Sequence, residues 1–374
     1  MSFGSTALVA AVLAFASVSA FADDGMDGAY LDKPYKNLVH PVQSPASQLH
    51  QLAPRSNTEA VIARQTPVRN QASRGTCSIF SATAMLEAML VMRRGVPTTV
   101  DFSEEWLEYL IMRNRSSDGS NSDTNFATIL ARGFTEERTW AYIGMEWKTL
   151  DDDLLARQRC GDVPAQQQKS CLLGHRDPRL LTASDEDLQN PASTLFDREF
   201  LAIREEAESN KTRFLAQGAS GTFFVTNTAQ IKQLLAQGIP VTLDIDFYYG
   251  AWNHRKADEL GIGRDPNNWS RGLVGYPEPG SVDLTVSQRE RAGHSVLLVG
   301  YDDNAVITTN VLMEDGTTKT FNYRGVYYFK NSWGNNNFGV SFQTAPNAPL
   351  HGGYGAITQR YADEFGQFFK MPIR

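Results

Sequence analysis

Basic stretches and paired metal-ligand spacings are both missing from this sequence. Its 374 residues hold only 3 Cys and 6 His, and 42 acidic residues outnumber 35 basic ones for a formal net charge of -7. Without a basic block there is little to neutralise a phosphate backbone, so we expect no nucleic-acid partner. The histidines show no paired ligand spacing, so we predict no metal site.

Long apolar runs are also scarce, and the clearest one lies at the N-terminus. Residues 7–20 are rich in Ala, Val and Leu, and an A-x-A pattern ends at Ala22. The run is shorter than the roughly 20 residues that span a bilayer. We therefore interpret residues 1–22 as a signal peptide rather than an anchor, although no Lys or Arg precedes the run. The expected product is an exported monomer, periplasmic or secreted, that leaves the membrane after cleavage.

The three cysteines divide into a pair and a single thiol. Cys160 and Cys171 are close enough in sequence to close a small disulfide loop, which would act either as a stabilising staple or as a support for a recognition loop. Cys77 remains unpaired. An unpaired thiol in an oxidising compartment is a liability unless it is used, so Cys77 is a candidate functional residue.

The order of predicted elements indicates an α+β protein. Helical spacing and end signals predict helices over residues 77–94 and 103–113, whereas the second half alternates like strands. Helices first and strands second favour two packed halves with a cleft between them. The predicted strands cover residues 241–247, 295–301, 305–312, 319–323 and 326–330, and a short helix is predicted over 231–237.

Composition divides the chain further. Residues 23–58 are rich in Pro, Gln, Ser and Asn and are predicted to be a short pro-segment or linker, followed by one domain over 59–374. Polar surface insertions are predicted near 145–222 and 303–325. We also expect the short segment to lie extended along the cleft and keep the protein latent.

The position of Cys77 suits nucleophilic chemistry. A helix N-terminus favours a thiolate, because unpaired backbone N–H groups and the helix dipole stabilise the anion. Such a thiolate needs an imidazole to exchange the proton, an amide group to orient the ring, and donors for a developing oxyanion.

Three segments supply these groups in order. Residues 67–81, which include Gln71 six positions before Cys77, resemble the nucleophile segment of the papain-like cysteine peptidases. Residues 293–301, which include His294, resemble the family's histidine strand, and residues 328–334 resemble its asparagine strand end.

The resemblance implies a papain-like fold with a helical half, an antiparallel β-barrel-like half and the active site between them. It implies that Cys77 is the nucleophile, His294 the base, Asn331 the group that orients the ring, and Gln71 an oxyanion donor. Trp333 and Gly293 would line the substrate site, with Trp333 also shielding the histidine. The activity would be cysteine endopeptidase action on proteins or peptides without a cofactor.

Two positions depart from the family pattern. Arg74 stands where the family carries a disulfide-forming Cys, and we expect it either to favour the thiolate or to be a solvated surface residue. Ser78 replaces the usual aromatic. In the strand 241–247, the alternation of Asp244 and Asp246 favours a solvent face over a substrate pocket.

Two other functions remain open for the same residues. One is an inactive papain-like protein that binds peptides. The other is an acyl transferase or deamidase that uses the same triad with another acceptor or substrate. A lone buried structural cysteine is the alternative for Cys77.

Overall fold

The computed structural model describes residues 39–215 and 223–373. The predicted signal peptide, residues 1–22, and the first part of the predicted pro-segment lie outside the described residues. Among the described helices, none is long and apolar enough to cross a bilayer.

Helices dominate the first part of the domain. α3 begins at Cys77 and ends at Gly95, whose φ of 65° stops the helix, so its predicted bounds are confirmed. Ser103 caps α4 by accepting a hydrogen bond from the Trp106 N–H, as predicted for this second helix. The helices described are α1 (Ala46–Leu49), α2 (Thr58–Ile62), α3 (Cys77–Arg94), α4 (Glu104–Met112), α5 (Ser122–Arg132), α6 (Leu154–Cys160), α7 (Ala165–Gly174), α8 (Asp185–Gln189), α9 (Arg198–Phe214), α10 (Thr228–Ala236), α11 (Lys256–Glu259), α12 (Pro266–Ser270), α13 (Val282–Arg289) and α14 (Gln359–Phe365).

A seven-stranded sheet forms the second half, in the order β1-β7-β2-β4-β5-β6-β3. All neighbours pair antiparallel except β3 and β6, which are parallel. The helix-rich first half and strand-rich second half confirm the predicted α+β class. The strands are β1 (Phe224–Val225), β2 (Val241–Phe247), β3 (Leu273–Val274), β4 (Ala292–Leu312), β5 (Thr318–Lys330), β6 (Tyr354–Thr358) and β7 (Gly366–Phe369).

Two long strands replace the four short ones predicted between residues 295 and 330. β4 and β5 form one hairpin whose ladder continues through register shifts at Leu298/Gly300 and Asp302/Val306. Such bulges bend a ladder without ending it, which is why the breaks in the sequence pattern did not end the strands. The insertion predicted near 303–325 is the outer arm of this hairpin.

The segment predicted as a polar surface insertion, residues 145–222, is partly core. Within its described part, Phe200 and Leu201 of α9 pack with Trp106 and Trp140. The polar residues that suggested a surface segment cover only the outer face of α9, because its inner face is buried against α4.

The segment before α2 packs along the sheet. Val42 and Ser56 donate backbone hydrogen bonds to Thr226 and Tyr301, and Tyr301 Oη donates to the Ala53 carbonyl. With α1 in the middle, residues 39–57 are not the extended strand that we expected. Their hydrogen bonds go to the β half, to Gly366, Thr226 and Tyr301.

The two halves meet where α3 packs on β4. Leu297 of β4 and Phe369 of β7 join the core formed by Ile79, Met85 and their neighbours in α3. This contact brings the first turn of α3 against the start of β4, where the candidate residues of both halves meet.

Candidate active site

Cys77 opens α3 with its side chain buried at 0 % exposure. Its Sγ accepts a hydrogen bond from the backbone N–H of Ser295, at 3.2 Å. Ser295 directly follows His294 in β4, so the sulfur lies against the histidine strand. The surroundings are polar at the sulfur even though the residue is buried, unlike those of an inert core thiol.

His294 and Asn331 are held together in the β half. The ring Nε2 lies 2.8 Å from Asn331 Oδ1, which also accepts from the Ser332 N–H at 2.9 Å. Because that oxygen is an acceptor, the proton of a neutral imidazole sits on Nε2 and the lone pair on Nδ1. In the described part of the chain, Nδ1 has no hydrogen-bond partner. It is therefore available to take a proton.

Aromatic rings enclose the histidine. Trp333 stacks on the His294 ring with centroids 4.5 Å apart, and Trp252 and Phe247 approach it edge-on at 5.1 and 5.9 Å. Trp333 thus lies where the family resemblance predicts a shield. Trp252 was not predicted, because it follows β2 and is 42 positions from His294 in sequence.

Gln71 is anchored at both ends of its amide. Its Nε2 donates to the Arg74 carbonyl at 2.7 Å, and its Oε1 accepts from Ser332 Oγ at 2.7 Å. The Gln71 N–H also donates to the Ser332 carbonyl. These bonds bring Gln71, from the helical half, next to the residue that follows Asn331.

Burial controls the protonation of the central pair. It raises the pKa of the Cys77 thiol well above its ordinary value, and the charge of Asp244 adds to this, whereas the N–H groups of Ser295 and Ser78 oppose it. Burial also lowers the pKa of His294 to about 4, against the effect of its hydrogen bond to Asn331. Burial therefore favours the neutral thiol and the neutral imidazole, whereas the helix N-terminus alone favours the thiolate.

Arg74 is a buried residue, so the prediction of a solvated surface arginine is wrong. Its guanidinium forms a two-pronged ion pair with Asp118, at 2.8 and 2.7 Å, and a second ion pair with Glu108. Asp118 also accepts from the Gly75 N–H at 3.0 Å. Buried ion pairs therefore hold the loop before Cys77 in place.

His175 belongs to the same buried cluster. Ligand atoms of Glu105, Glu108 and His175 lie within 4.8 Å of one another, a spacing that suits a metal ion. However, Arg74 Nη1 lies 3.2 Å from His175 Nε2, and Arg74 Nη2 pairs with Glu108. A side-chain cation already occupies this place.

Cys160 and Cys171 form the predicted disulfide, with Cα atoms 5.7 Å apart. Both are fully buried and join α6 to α7 in a small core with Trp147. This placement favours the staple over a support for a recognition loop.

In β2, solvent positions were predicted for both Asp244 and Asp246, and only Asp246 is exposed. Asp244 is 2 % exposed and bonded to Ser122 and Ser295, so its predicted solvent position is wrong. Asp246 is exposed and pairs with Gly293, the buried residue before His294. The alternation failed for Asp244 because both faces of β2 are covered by other elements.

Comparisons with known families agree with this geometry. The model described as "Papain family cysteine protease" matches residues 56–254, more than half of the chain. A second, described as "Peptidase_C39 like family", matches residues 200–340. No curated protein sequence matches the chain significantly.

Two cysteine protease structures match most of this chain. Xylellain, a cysteine protease from Xylella fastidiosa, is 17% identical, and the match covers 93% of this chain and 96% of that chain with a TM-score of 0.51. Digestive procathepsin L 3 of Tenebrio molitor larval midgut is 16% identical over 94% and 78% of the two chains, with a TM-score of 0.45. Since the family match extends over more than half of its residues, this chain belongs to the papain family of cysteine proteases.

Proposed function

We propose that the chain is a cysteine endopeptidase with a Cys77-His294-Asn331 triad and Gln71 as an oxyanion donor. One observation carries the proposal. The Cys77 sulfur of the helical half accepts the N–H of Ser295, next to a histidine whose ring is already oriented by Asn331. Few structural roles need an unpaired cysteine and an oriented imidazole at one junction.

The reaction follows from these positions. His294 Nδ1 takes the thiol proton as Sγ bonds to the substrate carbonyl carbon, and the oxyanion accepts from Gln71 Nε2 and the Cys77 N–H. His294 then gives that proton to the leaving amine as the C–N bond breaks. Water, deprotonated by the same nitrogen, attacks the thioester, and the C–S bond breaks to release the acid and restore the thiol.

Alkylation tests the nucleophile. Iodoacetamide at neutral pH is expected to label Cys77 alone, because Cys160 and Cys171 are joined in a disulfide. His294→Ala should slow labelling and abolish peptide cleavage, whereas His50→Ala, at an exposed histidine, should change neither. Cleavage that survives Cys77→Ala would rule out the triad.

Product masses separate the related activities. A peptide blocked at both ends should yield two fragments that together gain one water, as endopeptidase action requires. Joining of a fragment to an added amine would indicate acyl transfer, and an intact peptide with a converted glutamine would indicate deamidation. Labelling of Cys77 with none of these products would favour the inactive peptide-binding alternative.

We further propose export of a monomer, into a periplasm or beyond. The Cys160–Cys171 disulfide supports an oxidising compartment. Two measurements test export. The intact mass should show that the mature chain begins at Asp23, and the protein should be recovered outside the cytoplasm. A protein that retains Met1 would contradict it.

A further inference from the structure

A buried carboxylate lies behind the reacting pair and has no part in the reaction above. Asp244, in β2, is 2 % exposed, yet it accepts three hydrogen bonds. Its Oδ2 accepts from the Ser122 N–H at 2.8 Å, and its Oδ1 accepts from Ser122 Oγ at 2.7 Å and from Ser295 Oγ at 2.6 Å. Both oxygens are occupied, so the group is not an open subsite for a substrate side chain.

These bonds connect the two halves of the fold. Ser122 is the first residue of α5 in the helical half, whereas Asp244 and Ser295 belong to neighbouring strands of the β half. Ser295 Oγ also lies 2.5 Å from Ser81 Oγ, one turn along α3 from Cys77. The carboxylate thus holds Ser295 against the nucleophile helix.

Ser295 in turn holds the sulfur. Its side chain is fixed by Asp244, and its backbone N–H donates to Cys77 Sγ. A displacement of Ser295 would alter the hydrogen bond at the sulfur and the position of His294, which precedes it in β4.

Asp244 also acts through its charge. Burial raises the pKa of Asp244, its hydrogen bonds to Ser122 and Ser295 lower it, and the charge of Asp123 of α5 raises it further. An ionised carboxylate at this place opposes a second negative charge on the sulfur of Cys77.

We propose that Asp244 is a positioning residue: it fixes Ser295 for Cys77 and His294, and its negative charge restrains thiolate formation at Cys77. The inference rests on the proposed role of Cys77 as nucleophile. The charge of Asp244 and its hydrogen bonds should therefore have separate effects: the charge on the pKa of Cys77, and the hydrogen bonds on the position of Ser295.

Asp244→Asn removes the charge and preserves the bonds. The amide oxygen can accept from the Ser122 N–H, and the amide nitrogen can donate to the hydroxyls of Ser122 and Ser295, which accept as well as donate. The pH midpoint of Cys77 alkylation by iodoacetamide should then fall by roughly one pH unit. Asp246→Asn, two residues along the same strand and exposed, is the matched control and should leave the midpoint unchanged.

Ser295→Ala keeps the charge of Asp244 and removes the hydrogen bond that joins residue 295 to it. It should lower kcat about tenfold, since the catalytic geometry loosens, without lowering the alkylation midpoint. Folding of each variant is checked by its thermal transition. If Asp244→Asn does not fold, Ser295→Ala alone decides, and an unchanged kcat overturns the positioning role.

The alkylation profile needs no peptidase activity, so the two proposals fail separately. A folded Asp244→Asn protein with the wild-type midpoint would overturn the role of Asp244 even if the enzyme cleaves peptides. A shifted midpoint in a protein that cleaves nothing would preserve the coupling to Cys77 and overturn the proposed reaction.

Discussion

At the scale of single residues, Gln71 has a side-chain amide that is held in place at both ends. The Arg74 carbonyl and the Ser332 hydroxyl hold its amide from both sides. One of its two N–H donors is used in this anchoring, and the other is available for an oxyanion. A donor fixed before the reaction needs no reorganisation when the negative charge develops.

Gln71→Ala is expected to lower kcat about 10²–10³-fold, as loss of one oxyanion donor does elsewhere, with a small change in KM. Steady-state kinetics on a peptide substrate measures both constants. Gln43→Ala, at an exposed glutamine, serves as the control. A large rise in KM with kcat unchanged would assign Gln71 to substrate binding instead.

A second buried histidine, His254, makes the stability of the fold depend on pH in acid. His254 is 2 % exposed among Phe247, Trp269 and Trp333, and its pKa is lowered to about 3, first by burial and then by neighbouring positive charges. The folded state therefore holds a neutral ring where the unfolded chain binds a proton below its ordinary pKa of 6.5. The ring destabilises the fold progressively as pH falls from about 6.5 toward 3.

His254→Phe should therefore gain stability relative to wild type as the solution is acidified. The difference in unfolding free energy should change by up to about 1.4 kcal/mol per pH unit over this range and stay constant above pH 7. Denaturant titrations at several pH values measure it. A pH-independent difference would show that the ring binds protons equally in the folded and unfolded states, so that its pKa is not lowered by folding.

At the scale of elements, the loop before α3 is held by an ionic cluster rather than by a covalent bond. Arg74 pairs with Asp118 and Glu108, all with side chains at most 9 % exposed. Removing one member of a buried network leaves uncompensated charges, which costs far more than loss of a solvated pair.

Arg74→Met is expected to destabilise the protein by about 3–5 kcal/mol. Arg157→Met breaks the exposed pair with Asp151 and should cost less than about 1 kcal/mol. Urea unfolding of both variants gives the comparison. Equal and small losses would mean that the buried cluster contributes little beyond packing.

At the scale of the whole molecule, the N-terminal segment reaches the β half beside the histidine strand. His40 Nδ1 lies 3.1 Å from the Gly366 carbonyl, and Gly366 pairs with Ile245, itself the partner of His294. The described part of this segment therefore begins against β7, two places from β4 in the sheet. Residues 39–57 pack on the β half, and latency stays a prediction.

Two deletions separate latency from stability. A mature chain without residues 23–38 is expected to show a higher initial rate of peptide cleavage and an unchanged thermal transition. Removal of residues 23–55 also discards the bond from Tyr301 Oη to Ala53 and should lower the transition temperature. Equal initial rates for the first deletion and the protein that begins at Asp23 would argue against latency.

Local signals were enough for much of this fold. The bounds of α3 follow from Arg93, Arg94 and Gly95 at its end, and β2 from its own alternation, because each depends on neighbours in sequence. The joining of β4 and β5 into one hairpin depends on ladder bonds across bulges, and no local pattern specifies those. The burial of α9 was missed for the same reason, because it depends on contacts with residues distant in the chain.

Some residues of the candidate site could also be selected from sequence, and others could not. Gln71, Cys77, His294, Asn331 and Trp333 come from three short segments, and the identities and spacing within each segment were sufficient to select them. Trp252 and Asp244 could not be selected, since each acquires its role from contact with residues more than forty positions away.

The sequence alone determined the fold class, the unpaired thiol and the order of the chemical groups, because these depend on residue type and local spacing. Only the tertiary structure decided that Cys77 and His294 are buried, that Arg74 is an internal cation, and that Asp244 is a buried hydrogen-bond acceptor between the two halves. Burial and charge at a given atom are set by groups distant in the chain, and those groups meet only when the two halves pack together.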